Sequence, residues 1–235
     1  MKKAIILVAA LALVAVNASA DSLDVNFSAA MNGTNFGLEV LHDNSSPAYV
    51  QDDTPAGETV YRFEFLYNPT DVAATGSNDW IMTIFGAMGT NPRPNNSANP
   101  CPLNPNIPVF PARIMAFATG PNNTTPGVRM TAMTNFCGIV GTPLTFWTAN
   151  VPKKLCGFIE IGSPISGGIA VVDPGNSCPS DGDSAYKLIP GAGLSNSQHA
   201  VEFARLGNLA VNPYNAGENG SVYFDEFASF RTLAP

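Results

Sequence analysis

Three pairs of acidic residues offer the clearest capacity for chemistry in this chain. Asp52-Asp53 and Asp181-Gly182-Asp183 each place two carboxylates in a short polar segment, and Asp225-Glu226 lie within an apolar run. Ca²⁺ takes several oxygen ligands, so the first two pairs are predicted metal ligands, and no cofactor other than calcium is suggested. Side chains that hydrogen-bond their own turn explain the same residues without a metal. For Asp52-Asp53 that interpretation is favoured, with backbone N–H groups or a nearby arginine offsetting the charge.

The spacing of the carboxylates argues against glycoside hydrolysis. A retaining glycosidase holds two carboxyl groups about 5–5.5 Å apart across the sugar bond, and residues two positions apart on a strand share a face. Glu160 and Glu202 have no acidic residue two positions further on. Asp225 and Glu226 are adjacent and are expected on opposite faces, so they do not form a catalytic pair. They are interpreted as a solvated edge or as a hydrogen-bonding pair for the backbone and Arg231, and they are also candidate binding residues.

Nucleophilic catalysis is not predicted either. The sequence contains no G-x-S-x-G motif, which presents the nucleophile of many serine hydrolases, and its only histidines are His42 and His199. His42 is interpreted as a turn residue and His199 as a residue at the entry to a strand. No catalytic residue is therefore predicted.

Aromatic residues in loops are the other candidates for binding, because a flat apolar ring face can pack against a sugar ring. Tyr186 and Tyr214 lie in loop-like segments and are predicted to be exposed. Trp80 and Trp147 lie in apolar strand patterns, so they are assigned to the core.

The first twenty residues have the order of a secretory signal peptide. Lys2 and Lys3 precede an apolar run over residues 4–16, and Ala-Ser-Ala at 18–20 is a small-residue cleavage site. The predicted organisation is a signal peptide at 1–20 and one domain at 21–235. Export to the periplasm or the extracellular space is expected, with no membrane span in the mature chain.

An even number of cysteines in an exported chain indicates disulfides. Four cysteines, Cys101, Cys137, Cys156 and Cys178, allow three connectivities. They form no C-x-x-C pair and have no histidine nearby, so a zinc site is disfavoured.

A predicted hairpin selects among these connectivities. Residues 155–161 and 168–172 have the pattern of two strands joined by a turn at 164–167. Pairing about that turn brings Cys156 close to residues 174–178. The favoured bridges are therefore Cys156–Cys178 and Cys101–Cys137.

Short runs of alternating apolar and polar residues dominate the chain and predict strands throughout. The best of them is TVYRFEFLY at 59–67, in which four aromatic rings share one face. Residues 86–111 and 175–197 are irregular and are predicted as two long loops. The predicted core comprises Phe63, Phe65, Ile84, Ile114, Phe117, Val128, Met130, Phe158, Ile169, Val171, Phe203, Leu206, Tyr223 and Phe227.

Segments near both ends resemble one known fold family. Residues 48–55 (AYVQDDTP) with 61–69 (YRFEFLYNP), and 201–207 (VEFARLG) with 220–231 (GSVYFDEFASFR), are similar to segments of secreted bacterial concanavalin A-like, or laminin G-like, jelly-roll domains. The resemblance implies an all-β, antiparallel jelly-roll β-sandwich whose first and last strands pair as neighbours. Lectins, adhesion modules and glycoside hydrolases share this fold, so it does not decide function.

Charge and the absence of a catalytic motif set the functional expectation. The formal net charge of −7 repels phosphate backbones and argues against nucleic acid. The leading prediction is an exported, non-catalytic module that binds a glycan or a cell-surface protein. The alternative is a structural component of the envelope or matrix without a small ligand, and a glycoside hydrolase or lyase is the third.

Overall fold

The protein is an antiparallel jelly-roll β-sandwich. The structure is a computed structural model that describes residues 22–42, 47–69, 79–89, 109–118, 126–134, 139–141, 145–146, 151–161, 168–171, 178, 187–188, 196, 199–211 and 220–231. These residues form no helix, so among them none is long and apolar enough to cross a membrane. The predicted signal peptide at 1–20 lies outside this part of the chain.

Fourteen described strands divide into two sheets. They are β1 (Ser22–Asn26), β2 (Gly37–His42), β3 (Ala48–Asp52), β4 (Val60–Asn68), β5 (Asp79–Gly89), β6 (Val109–Ala118), β7 (Gly127–Met133), β8 (Ile139–Gly141), β9 (Thr145–Phe146), β10 (Lys153–Glu160), β11 (Gly168–Val171), β12 (Lys187–Leu188), β13 (Phe203–Val211) and β14 (Gly220–Phe230). Sheet A has the order β1-β2-β14-β4-β10-β11-β12, and sheet B has the order β3-β13-β5-β6-β7-β8 with β9 also paired to β7.

The aromatic strand predicted at 59–67 is the centre of the core. Because side chains alternate across a strand, Tyr61, Phe63, Phe65 and Tyr67 of β4 all turn inward and are buried. Phe63 stacks on Phe85 of β5 in the opposite sheet, with ring centroids 4.1 Å apart. The aromatic face of β4 therefore joins the two sheets.

The predicted β-hairpin that contains Cys156 is confirmed. β10 and β11 are antiparallel neighbours, with Glu160 opposite Gly168, and Cys156 is bonded to Cys178. Cys101 and Cys137 lie outside the described residues, so their pairing stays a prediction.

The alternation predicted for the last strand is wrong at Tyr223. A register shift interrupts the pairing of β14 with β4 between Asp225 and Ala228, which marks a β-bulge. The extra residue lets Phe224 and Phe227 both turn inward, whereas strict alternation would put Tyr223 and Phe227 on one face. Tyr223 is consequently only half-buried.

Three other predicted core residues lie elsewhere. Phe117 is half-buried on the face of β6 opposite to Ile114 and Ala116, which lie in the core. Phe203 is half-buried beside an arginine on sheet B. Phe158 is buried in a separate small cluster with Cys156. The sequence could not distinguish these positions because both faces of their strands carry apolar side chains.

Three further expectations about the strands are corrected. The first strand does not pair with the last, because β2 lies between β1 and β14. The predicted loop at 86–111 is shorter, since β5 continues to Gly89 and β6 begins at Val109. The loop predicted at 175–197 contains the short strand β12.

Candidate functional site

A row of directly paired residues crosses the outer face of sheet B. Register places Gln51 opposite Arg205, Arg205 opposite Gly86, and Gly86 opposite Arg113. Arg113 in turn pairs with Thr131, and Thr131 with Gly141. We call these six residues the arginine row: Gln51, Arg205, Gly86, Arg113, Thr131 and Gly141.

Arg205 is held in place by three neighbours on this face. Its Nε donates to Gln51 Oε1 at 2.7 Å. Its guanidinium lies 4.2 Å from the centroid of the Tyr49 ring and 5.1 Å from that of Phe203. Cation–π contacts of this kind contribute about 0.5–1 kcal/mol at exposed sites. The guanidinium is thus oriented before any ligand arrives.

Arg113 occupies the centre of the row. Its Nε donates to Thr131 Oγ1 at 3.2 Å. Burial lowers the pKa of the Arg113 guanidinium below its ordinary value, because desolvation disfavours the charged form.

A third guanidinium covers the end of the row. A Cβ atom at Gly141 would collide with the guanidinium of Arg129, so that group lies directly above Gly141. Arg129 itself is exposed. The glycine at 141 therefore makes room for a third positive charge in line with Arg205 and Arg113.

The spacing and chemistry of the row suit a linear polyanion. Neighbouring strands are about 4.8 Å apart, so Arg205 and Arg113, two strands apart, are separated by roughly 10 Å. Guanidinium groups bind carboxylates through two parallel hydrogen bonds. The six row residues include two arginines and no carboxylate.

The predicted calcium ligands Asp52 and Asp53 already accept hydrogen bonds from the protein. Asp52 Oδ1 accepts from the backbone N–H of Thr54 at 2.9 Å, and Asp52 Oδ2 lies 3.9 Å from Arg231 Nη2. Asp53 Oδ1 accepts from Gln51 Nε2 at 2.6 Å. Their role in metal binding stays a prediction.

Asp225 and Glu226 lie at the β14 bulge and contact the same loop between β1 and β2. Asp225 Oδ2 accepts from the backbone N–H of Met31 at 2.8 Å, and Glu226 Oε1 accepts from Asn32 Nδ2 at 3.0 Å. Glu226 has a φ of 51°. Because of this left-handed residue, the two side chains do not follow the simple opposite-face expectation.

The remaining predicted site residues lie outside the described part of the chain: Tyr186, Tyr214, Asp181 and Asp183. One further group has metal-ligand composition, namely Glu64, Cys156 and Cys178. The two sulfur atoms are joined in a disulfide, so they cannot act as thiolate ligands.

The arginine row was missed by the sequence interpretation. Its two arginines, Arg113 and Arg205, and the nearby Arg129 each stand alone within an apolar strand, in ARIMAF, FARLG and GVRMTAM. A lone arginine at an outward position of a strand is ordinary, and only the pairing of distant strands brings the three together.

Comparison with known proteins identifies fold relatives only. No family profile matches the sequence, and no curated protein is similar to it. A structure titled "Cellulose induced protein, Cip1" is 10% identical, with 91% of this chain and 87% of that chain covered and a TM-score of 0.49. A polysaccharide lyase of family 18 is 11% identical, with 90% and 95% covered and a TM-score of 0.45. An alginate lyase from Alteromonas sp. 272 is 10% identical, with 90% and 95% covered and a TM-score of 0.41.

These comparisons contradict the leading functional prediction. A non-catalytic binding module, or a structural component without a ligand, was expected, whereas two of these three structures are titled as lyases.

Proposed function

We propose that the protein is a lyase that cleaves an acidic, uronate-containing polysaccharide, and that the arginine row is its substrate-binding face. The observation that carries the proposal is the alignment of the Arg205, Arg113 and Arg129 guanidiniums across one sheet face. We also propose that the protein is secreted and that its jelly roll is of the concanavalin A-like type.

The chemistry of the row fits elimination better than hydrolysis. Hydrolysis by the usual route needs a pair of carboxyl groups, and the six row residues contain none. In elimination, a base removes the proton beside the uronate carboxylate, a carbon–carbon double bond forms, and the glycosidic oxygen leaves with a proton. A guanidinium paired with the carboxylate stabilises the negative charge that develops there.

Roles for individual residues follow from their contacts. Arg205, fixed by Gln51, would neutralise the carboxylate of the sugar at the reacting position. Tyr49 lies against the same guanidinium and carries a hydroxyl that can serve as general acid or base. Arg113 and Arg129 would hold carboxylates of other sugars along the row.

The test is turnover of defined polymers by the purified protein. Polygalacturonate, alginate and glucuronan are compared with a neutral glucan, and two products are measured: the ultraviolet absorbance of the unsaturated uronate and the number of reducing ends. We expect both to rise together with at least one acidic polymer and neither to rise with the glucan.

Arg205→Gln tests the assignment of the site. Loss of one charge-stabilising group typically lowers the rate by about 100-fold or more, and we expect that loss in kcat/KM with an unchanged circular dichroism spectrum. Lys153→Gln is the matched control, because it removes one positive charge from sheet A, and it should retain wild-type activity. Reducing ends without ultraviolet absorbance would indicate hydrolysis instead, and equal loss in both variants would exclude the arginine row.

A further inference from the structure

A cavity lies between the edge strands of the two sheets and is bordered by Gln51, the end residue of the arginine row. Its volume is about 280 Å³. β1 is the edge of sheet A and β3 is the edge of sheet B. The cavity wall is mainly apolar and is formed by Val25, Leu38, Val50, Leu206, Phe224 and Phe227.

Apolar side chains at the cavity mouth are exposed. Val25 is 47% exposed and Phe36 is 52% exposed, and both line the cavity. Phe36 packs against Phe27, with ring centroids 4.4 Å apart, and Phe27 is itself 72% exposed. Contiguous exposed apolar groups beside a cavity are typical of a binding site.

The polar side of the same cavity carries negative charge. Asp52, Asp225 and Glu226 all line it. Asp52 lies near Arg231, and Glu226 Oε2 is 3.8 Å from Lys154 Nζ. Two of the three carboxylates therefore have a cation nearby.

The hydrogen-bond donors to Asp225 differ from the partners of the other two carboxylates. Within the described part of the chain it accepts only from neutral donors: the backbone N–H groups of Met31 and Glu226 and the hydroxyl of Thr34. Hydrogen bonds from neutral donors orient a carboxylate but leave its net charge in place. At the wall of a half-closed apolar cavity, that charge attracts a cation more strongly than it would in open water.

The β14 bulge is what presents this carboxylate to the cavity. Glu226 adopts a φ of 51°, a conformation that residues with a β-carbon rarely take. Bulges commonly re-aim side chains beside functional sites, and strained residues cluster there. Here the bulge places Asp225 and Glu226 at the cavity between Phe224 and Phe227.

We infer that this edge cavity binds a small amphipathic cation, in which one aromatic or branched aliphatic group fills the apolar space and an ammonium group pairs with Asp225. A volume of 280 Å³ is just below the range of about 300–1,000 Å³ for drug-sized ligands, so the ligand has about one ring. The inference does not depend on the function proposed for the arginine row.

Three probes with a similar skeleton test the charge requirement. 2-Phenylethylamine, 2-phenylethanol and 3-phenylpropionate carry a positive, a neutral and a negative group, and calorimetric titration measures their binding to the full chain. We expect the amine to bind at least roughly tenfold more tightly than the alcohol, and the carboxylate not to bind. Equal affinity for the amine and the alcohol would overturn the role of Asp225.

Two variants locate the site and its charge. Val25→Trp should block the mouth and abolish binding of the amine. Leu41→Trp is the matched control, because Leu41 is 42% exposed on the neighbouring strand and does not line the cavity; it should bind as the wild type does. Asp225→Asn should lower the affinity for the amine roughly tenfold and leave the affinity for the alcohol unchanged. Wild-type affinity in Val25→Trp, or no binding of any probe to the wild type, would overturn the inference even where Asp225→Asn does not fold.

Discussion

At the scale of single residues, Asp52 shows how a turn carboxylate is used as a structural link. It accepts from the backbone N–H of Thr54, from Ser229 Oγ at 3.3 Å, and lies near Arg231. Arg231 also approaches Glu58, with Nε 3.7 Å from Oε1. Asp52 therefore links the end of β3 to the end of β14.

This arrangement predicts the effect of removing the charge. Asp52→Asn keeps an oxygen that can accept from Thr54 but loses the attraction to Arg231, which is partly exposed. We expect the free energy of unfolding to fall by about 1 kcal/mol or less, measured by urea denaturation. Asp53→Asn is the control and should change stability less, since Asp53 is exposed and, among the described residues, its carboxylate accepts a hydrogen bond only from the Gln51 side chain.

The same two variants address the calcium prediction. A ligand that binds only the folded state raises the melting temperature with its concentration. With protein donors supplying the contacts, we expect identical melting curves in millimolar calcium and in EDTA. A calcium-dependent rise that disappears in Asp52→Asn with Asp53→Asn would establish a metal site here.

At the scale of the elements, the pairing of β4 with β10 depends on a glycine that faces the core. Gly157 lies opposite Phe63, and a Cβ atom at Gly157 would collide with the Phe63 ring. That ring is stacked on Phe85 of the other sheet, so it has little freedom to move.

Substitution at Gly157 should therefore destabilise the protein in proportion to size. Overpacking a core typically costs about 1–3 kcal/mol, and we expect Gly157→Ala to fall in that range and Gly157→Val to exceed it. Thermal and urea denaturation provide the measurement. A Gly157→Ala protein as stable as the wild type would mean that the aromatic stack can shift to accommodate a methyl group.

At the scale of the whole molecule, the sandwich buries phenol groups that limit its stability at alkaline pH. Burial raises the pKa of Tyr67 above its ordinary value, and desolvation is also the main reason that the pKa of Tyr61 is raised. The unfolded chain releases these protons near pH 10, whereas the folded protein retains them. The folded state then binds more protons than the unfolded state, so stability falls as pH rises.

Tyr67→Phe tests this account. Above pH 10, each retained proton contributes a decline of up to about 1.4 kcal/mol per pH unit, so the variant should lose stability less steeply than the wild type between pH 10 and 11. Stability at pH 7 measures the packing effect of the substitution by itself. Parallel stability curves above pH 10 would show that Tyr67 does not titrate in this way.

Local pattern was sufficient for most of the strands. Alternating side chains predicted the aromatic strand β4, and the apolar runs around 164–167 predicted both the β10–β11 hairpin and the Cys156–Cys178 disulfide. These features depend on residues close in sequence, and the periodicity of a strand is fixed by its own backbone geometry. β3 and β12 were exceptions: the polar end of β3 was interpreted as a turn, and β12 lies in a segment predicted as a loop.

Only the tertiary structure decided which residues share a site. The arginine row exists because β13 pairs with β5 and β5 with β6, so that Arg205 and Arg113 flank Gly86. A shift of one residue in either register would turn an arginine to the other face. The bulge at Glu226 likewise changes which side chains face inward. Register and bulges arise from contacts between segments far apart in the chain, so no local pattern of residues specifies them.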